Sequence, residues 1–419
     1  MTAFRPADIL LPKDCDLSKW AVVACDQYTS EPEYWAELKE LVGDSKSALD
    51  LILPEVYLGQ SDVDKRIDTI HSKMKEYIAS GTFTEYKDAL IYTERVQDDG
   101  KVRAGLVGCI DLEEYDYQKG STSSVRATEA TVVERIPPRL KVRRGADIEL
   151  THIMILIDDE AGSVIEPLGG KKGSLKKVYD TPLSKKGGQI SGYLLDDKSK
   201  ASVLSALDRL GDKEGFEKRY GLKDTPVLLY AMGDGNHSLA TAKAYYEELK
   251  AASPGKNLSG HPARYALCEI VNLHSPALEF EAIHRIVTNT DTEALMGALT
   301  KALSLSDEPA QQKITVVKNG VHTDKYIHSP LSKLSVGSLQ TALDALLPKI
   351  GGEVDYIHGT EVVDKLSQQE NAIGFILPDM AKSELFPTVI ADGALPRKTF
   401  SMGHAWDKRY YMEARRITE

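Results

Sequence analysis

The sequence predicts an α/β fold (mixed α+β) in which helices pack on mixed sheets. Short apolar runs alternate with amphipathic segments of helical period along all 419 residues, a pattern typical of this class. Hydrophobic residues make up 42% of the chain and charged residues 27%, as in an ordinary globular protein. Because the chain is too long for one ordinary core, we expect a main α/β region at 1–290 and a smaller C-terminal α/β unit at 291–419.

The N-terminal part predicts one strand, two helices and a hairpin. The apolar run Trp20–Cys25 predicts the first strand, and Ser30 followed by Glu-Pro-Glu predicts the start of a helix. Residues 61–79 carry apolar side chains at helical spacing. The β-rich runs at 89–96 and 102–112 flank an Asp-Gly turn, which indicates an antiparallel hairpin.

The middle of the chain predicts a strand, a loop, a helix and a strand-turn-helix unit. Ile153–Ile157 is a continuous apolar run typical of a central strand. The Gly- and Lys-rich stretch 169–188 predicts a long mobile loop, either a solvated loop or a flap that grips an anion. A helix is expected at 198–210, and the buried strand 226–232 leads through a glycine turn into a helix at 238–251.

The remaining segments show β/α alternation, which indicates a separable C-terminal unit. The apolar patterns predict strands at 264–273, 314–318 and 372–377, and helices at 292–303, 337–348, 360–366 and 381–391.

Charge and cysteine usage exclude several classes of protein. The formal net charge is −11, from 52 Lys and Arg residues against 63 Asp and Glu residues, so we expect no nucleic-acid partner. The four cysteines form no CxxC pair, which favours reduced thiols over a disulfide framework or a zinc site. No apolar stretch is long enough for a membrane span or a signal peptide. We therefore expect a cytoplasmic protein with no membrane partner. The sequence leaves a homodimer as one possible oligomeric state.

The turn after strand 226–232 is the most informative local feature. Asp234, Asn236 and His237 follow the strand at once, with Gly233 and Gly235 supplying backbone freedom. A helix start points its amide groups into the same space and favours an anion. A carboxylate there can hold a hydrated cation, and a histidine can act as acid or base. Asp and Asn are also ordinary helix-capping residues, so a capped helix start is the simpler alternative.

The same turn carries a family resemblance. GDGNHSLATAKA looks like the Asp-Gly-x-His block of the domain-of-unknown-function family 1015, and the order of motifs along the chain is similar to that family as well. Many members have Arg where Ser238 stands here. A helix cap is the alternative role for Ser238. Further segments that carry the resemblance are AVVACDQYTSEPEYW, RATEATVVERIPPR, AIHRIV, DYIHGTE and LPRKTFSMGHAWDKRYY.

A weaker resemblance links the block to the Asp-Gly-His-His-Arg signature of the ParB-like nucleotide-binding proteins, which include kinases that act on free serine. It implies an N-terminal ParB-like region and a nucleotide near the turn. Arg126, Glu129, Arg135 and Arg139 would then form a second wall, with arginines on phosphate oxygens and the carboxylate acting as a base or on Mg²⁺. The alternative for this segment is a surface strand of alternating Thr, Val and charged residues.

We therefore expect a nucleotide- or phosphate-binding enzyme, a phosphotransferase acting on a small hydroxyl compound. Its cofactors would be Mg²⁺ and ATP or ADP. Asp234, His237 and Glu129 would carry the chemistry, with Asp234 also on the metal ion, while Gly233, Gly235, Asn236 and the three arginines would bind the cofactor. Two alternatives stay open: a nucleotide- or ligand-sensing regulatory protein without turnover, and a metal-dependent hydrolase built on Asp234 and His237. The sequence carries no Walker A, HExxH or GxSxG motif that would favour another enzyme class.

Overall fold

The computed structural model describes residues 2–129 and 135–419, which form two compact units. The first unit contains residues 2–127, 135–278 and 404–419, and the second contains residues 128–129 and 279–403. The C-terminal residues therefore return to the first unit. Both units combine helices with mixed or antiparallel sheets, which confirms the predicted α/β (mixed α+β) class.

The first unit holds two sheets and seven of the described helices. Its strands are β1 (Phe4–Arg5), β2 (Ala7–Pro12), β3 (Phe83–Ala89), β4 (Ile91–Val96), β5 (Val102–Asp111), β6 (Tyr115–Asp116), β7 (Val125–Arg126), β8 (Ile148–Glu149), β9 (Met154–Ile157), β10 (Lys176–Leu183), β11 (Gly188–Leu194), β12 (Tyr230–Asp234), β13 (Tyr265–Asn272) and the last strand of the chain, β21 (Ala414–Arg416). Its helices are α1 (Pro32–Val42), α2 (Val63–Ala79), α3 (Ile136–Arg143), α4 (Glu166–Gly169), α5 (Asp197–Leu210), α6 (Lys213–Tyr220) and α7 (Asn236–Ala252).

The second unit is built on one antiparallel sheet. Its strands are β14 (Phe280–Thr288), β15 (Leu305–Ser306), β16 (Gln312–Lys318), β17 (Val321–Ile327), β18 (Glu353–His358), β19 (Ile373–Ile376) and β20 (Phe400–Met402). Its helices are α8 (Thr292–Leu303), α9 (Ser335–Ile350), α10 (Thr360–Leu366) and α11 (Leu385–Asp392). The strand order is β15-β17-β16-β19-β14-β18, and β20 pairs with one end of β14.

The large sheet of the first unit has the order β10-β11-β4-β5-β13-β9-β12-β7-β6, with β1 added on β5. β13 runs parallel to β9, whereas β12 runs antiparallel to β9. The carboxyl end of β12 therefore lies beside the amino end of β9. The smaller sheet has the order β3-β2-β21-β8, so the last strand of the chain lies between two early ones.

Both faces of the large sheet are buried. Leu106 and Ile110 of β5 belong to one apolar cluster, while Val107 and Cys109 between them belong to the other. Burial on two faces explains why β5 reads as a continuous apolar run instead of alternating with polar residues.

Two sequence predictions in the first unit are wrong. Trp20–Cys25 is not a strand, since within the described part of the chain it pairs only through a single bridge between Val23 and Arg409. The run is apolar because residues 20–24 are buried. The stretch 169–188 is not one long loop, because it contains β10, which pairs with β11. Tyr179, Thr181 and Leu183 of β10 are buried and their neighbours are more exposed. This alternation is the period of two of a strand, and the lysines in the segment obscured it in the sequence.

A cluster of buried charges lies on the face of the large sheet that meets residues 407–413. Arg103 donates to Glu269 at 2.9 Å, and Arg95 donates to Asp407 at 3.2 Å. Glu269 fits only because residue 105 is glycine: a Cβ there would lie 2.0 Å from Glu269 Oε1. In the same cluster the Tyr179 hydroxyl donates to Glu413 at 2.7 Å.

We expect Gly105→Ala to destabilise the protein by about 1–3 kcal/mol, because the added methyl overpacks a buried, ion-paired side chain. Gly297→Ala is the matched control: it lies in α8, with nothing within 4 Å of its Cβ position, and should stabilise by about 0.5–1 kcal/mol through helix propensity. Urea unfolding of both variants measures the difference. Equal effects would contradict the close approach at Glu269.

Glu413 predicts an unusual dependence of stability on pH. Burial raises the pKa of Glu413 to about 7, so between about pH 4.5 and 7 the folded chain holds a proton that the unfolded chain has lost. Stability should therefore fall as the pH rises through this window, by roughly 3 kcal/mol in total. Glu413→Gln replaces the titrating carboxyl group with a neutral amide, so the variant should gain stability relative to the unmodified protein between pH 5 and 8. Parallel unfolding curves across this range would contradict the buried, protonated carboxyl group.

Candidate functional site

The turn at the end of β12 requires glycine at position 235 for two reasons. Gly235 has a φ of 82°, which L side chains rarely adopt. A Cβ at this position would also lie 2.2 Å from the carbonyl oxygen of His152. The turn is therefore pressed against the segment that enters β9, and α7 begins at the next residue, Asn236.

Asp234 is held by three groups. Its Oδ1 accepts from the Gly235 amide at 2.8 Å, and its Oδ2 lies 3.3 Å from His152 Nε2 and 3.3 Å from Lys408 Nζ. The side chain is 22% exposed. Burial by itself would raise the pKa of Asp234, but the Lys408 ammonium and His152 outweigh it and hold that pKa well below its usual range. Asp234 is thus an ionised carboxylate with the Lys408 ammonium group beside it.

His152 links the turn to the C-terminal segment. Its Nδ1 lies 2.8 Å from the carbonyl oxygen of Arg409, while its Nε2 faces Asp234. Since both ring nitrogens face acceptors, only the protonated ring donates to both. The ring is 6% exposed, so the contact is sheltered from water.

The C-terminal segment is fixed against the same stretch by two hydrogen bonds from Tyr411. The Tyr411 amide donates to the carbonyl oxygen of Thr151 at 3.2 Å, and the Tyr411 hydroxyl donates to that of Ile153 at 2.7 Å. These bonds place Lys408 beside Asp234. Sequence reasoning did not identify His152 or Lys408 as site residues. The available signals were a histidine at the start of an apolar strand and a lysine in the terminal motif.

The start of α7 has no side-chain cap, so the alternative of an ordinary capped helix start does not hold at Gly235. The first amides of an α-helix have no partner within the helix and can meet an anion. Asn236 Oδ1 is buried and has no hydrogen-bond partner among the described residues. Ser238 lies inside the first turn of α7 and is therefore not its cap.

The structure places the other predicted residues in different surroundings. Arg126 is buried, with its guanidinium donating to the carbonyl oxygens of Ser123 and Pro226 at 2.7 and 2.9 Å. Arg135 is exposed just before α3. Glu129 belongs to the second unit, where it forms a bridge with Leu395. Residues 130–134, part of the predicted surface strand, lie outside the described residues.

Arg139 lies beside a cavity of about 130 Å³ in the first unit, and its guanidinium pairs with the Glu55 carboxylate. Ser238 and Thr241 of α7 line the same cavity. α3 packs against α7, which brings the basic segment to one wall and the start of α7 to the same space. Of the residues that the sequence connected, only Arg139 reaches this cavity, which Ser238 and Thr241 of α7 also line.

Among residues 2–129 and 135–419, no group of three or more His, Cys, Asp and Glu side chains converges as a metal site would require. A cation at Asp234 would therefore depend on water and ligand oxygens, as Mg²⁺ commonly does. None of the helices in the described ranges combines the length and the apolar character needed to cross a membrane.

We expect Gly235→Ala to destabilise the protein more than Gly221→Ala. Gly221 ends α6 with a φ of 66° and has nothing within 4 Å of its Cβ position, so alanine there costs about 1 kcal/mol of backbone strain. At position 235 the clash with the His152 carbonyl adds to that strain. Denaturant unfolding of the two variants isolates the close approach, and equal losses would contradict it.

Solved structures that resemble the chain have low similarity to it. A conserved hypothetical protein from Pyrococcus furiosus has 11% identity and a TM-score of 0.37, and the match covers 74% of this chain and 95% of that one. SbnI with a C-terminal truncation, from Staphylococcus aureus, has 11% identity and a TM-score of 0.37 over 71% and 82% of the two chains. A free serine kinase in complex with AMP has 11% identity and a TM-score of 0.39 over 74% and 91%.

No curated protein matches the chain. A family model matches residues 5–381, which is most of the chain, and its description is "Protein of unknown function (DUF1015)". This match confirms the family predicted from the motifs. The chain therefore belongs to the DUF1015 family.

Proposed function

We propose that the first unit binds the phosphate groups of a nucleotide at the start of α7 and transfers a phosphoryl group to a small hydroxyl compound. The observation that carries this proposal is the uncapped start of a 17-residue helix beside Lys408 and His152. Helix amides, an ammonium group and an imidazole at one place suit a phosphate.

Electrostatics supports an anionic ligand at this turn. In a chain with a net charge of −11, Lys408 supplies a positive group and His152 a ring N–H donor beside the Asp234 carboxylate. The positive end of the α7 dipole adds to them. Lys408 is 20% exposed and Asp234 is 22% exposed, so both can meet a ligand without unfolding of the turn.

Asp234 is the proposed contact for Mg²⁺. Mg²⁺ is commonly held by one or two carboxylates together with substrate phosphates and water. A nucleotide phosphate would draw Lys408 towards its own oxygens and leave Asp234 to the metal ion. His237 is proposed to meet a phosphate from the first turn of α7.

A regulatory protein that binds a nucleotide without turnover differs from this proposal only in the transfer step. A metal-dependent hydrolase is less well supported, since no three or more acidic, histidine and cysteine side chains among the described residues converge as a metal site.

We expect ATP or ADP with Mg²⁺ to raise the thermal unfolding midpoint, because a ligand that binds only the folded chain adds about 2.7 kcal/mol of stability at 100 times its Kd. Lys408→Met and Asp234→Asn should lose most of this rise. The panel includes CTP, GTP and pyrophosphate.

Lys73→Met is the matched control. Lys73 pairs at 2.8 Å with Glu76 on the exposed face of α2, so its loss should leave the nucleotide response unchanged. Midpoints without nucleotide separate weak binding from weak folding in each variant. If no nucleotide raises the midpoint, or if Lys73→Met loses the rise as fully as Lys408→Met does, the phosphate site is rejected.

A further inference from the structure

The cavity of about 130 Å³ beside α3 and α7 is large enough for a small organic molecule. An engineered protein cavity of roughly 150 Å³ holds benzene. Most of the wall is apolar, and these side chains come from several parts of the first unit: Leu51, Ile52, Leu53, Leu58, Met74, Val142, Ala146, Ile148, Leu150 and Ile417. The ligand that fits such a wall is mainly apolar.

The charged groups at the wall are paired. Arg139 pairs with Glu55, and Arg143 donates to Glu149 at 2.6 Å. Each arginine of the wall is paired with a carboxylate, and Glu149 also accepts from Arg415 at 2.9 Å, so a charged ligand would have to disturb an existing ion pair. Burying an unmatched charge here would be strongly unfavourable. A neutral ligand is therefore favoured over an acid or an amine.

Two polar groups of the wall can still bind a hydroxyl group. Burial raises the pKa of the Glu55 carboxyl despite the opposing charge of Arg139, so this carboxylate gains from an added hydrogen-bond donor. Arg143 Nε is buried and has no hydrogen-bond partner among the described residues. An alcohol can donate to the first group and accept from the second.

The cavity adjoins the proposed phosphate site along two chain segments. Ser238 lines the cavity and follows His237 directly, and Thr151 lines it and precedes His152. A molecule in the cavity therefore contacts the chain neighbours of His152 and His237.

We propose that this cavity binds a small, mainly apolar alcohol, with its hydroxyl group at Glu55, and that this alcohol is the phosphoryl acceptor. The acceptor role rests on the proposed function, whereas the binding does not. In the transfer, the hydroxyl oxygen attacks the terminal phosphorus of a nucleoside triphosphate and its proton passes to the Glu55 carboxylate. The electron pair of the broken P–O bond stays on the leaving nucleoside diphosphate.

Binding is tested without nucleotide, by thermal unfolding in benzyl alcohol and 3-methyl-1-butanol, with glycerol and benzylamine as comparison ligands. The two apolar alcohols should raise the midpoint and the comparison ligands should not. Ala146→Leu fills the cavity from a buried wall position and should abolish the response. If Ala146→Leu does not fold, Leu58→Phe fills the cavity from a half-buried wall position instead.

An unchanged response in a folded cavity-filling variant would overturn the proposal, as would equal stabilisation by glycerol or benzylamine. Transfer is then measured with ATP and saturating benzyl alcohol. Glu55→Gln should slow transfer by about 100-fold or more, as loss of a general base does, and its midpoint without ligand shows whether the variant folds. Transfer at an undiminished rate in Glu55→Gln would overturn the role of Glu55. Alcohol binding without any nucleotide response would reject the proposed function and leave the cavity assignment standing.

Discussion

The attachment of residues 408–411 to residues 151–153 is the constraint on which the site depends. Tyr411 binds this stretch through its amide and its hydroxyl, and His152 contacts the carbonyl oxygen of Arg409. These bonds bring Lys408 to Asp234. Without them the carboxylate would be half-buried without an ammonium partner, which is costly. The site is therefore assembled from three distant parts of the chain, and its stability is tied to that of the C-terminal segment.

The same segment also supplies hydrogen-bond partners to the buried charged groups on the large sheet. Asp407 meets Arg95, and Arg409 donates to the carbonyl oxygen of Ala21 at 2.7 Å. Arginine can satisfy several acceptors with one planar group, which suits an interior where water does not enter. Loss of one partner would leave a buried charge unpaired, and such losses are expensive. Residues 407–413 thus act as one piece that couples the sheet to the turn.

The sequence predicted much of the local structure because local signals determine it. The helices at 292–303 and 360–366 were identified from their periodicity, and the hairpin from its Asp-Gly turn. β10 was missed because its lysines suggested a loop. The ring of Tyr179 packs where Gly192 has no side chain, a contact across strands that no local pattern reveals. The turn at Gly235 was predicted from its residues, while His152 and Lys408 were not, because their contacts with Asp234 span long stretches of chain.

The charge around Asp234 decides which ligand the turn favours. A carboxylate that is already paired with an ammonium group is a poor site for a bare cation, because the ion would have to displace Lys408. An anion gains from Lys408, His152 and the helix amides together. If a phosphate then binds Lys408, Asp234 loses that partner and becomes able to take Mg²⁺. The geometry therefore favours an order of binding in which the metal ion arrives with the phosphate rather than before it.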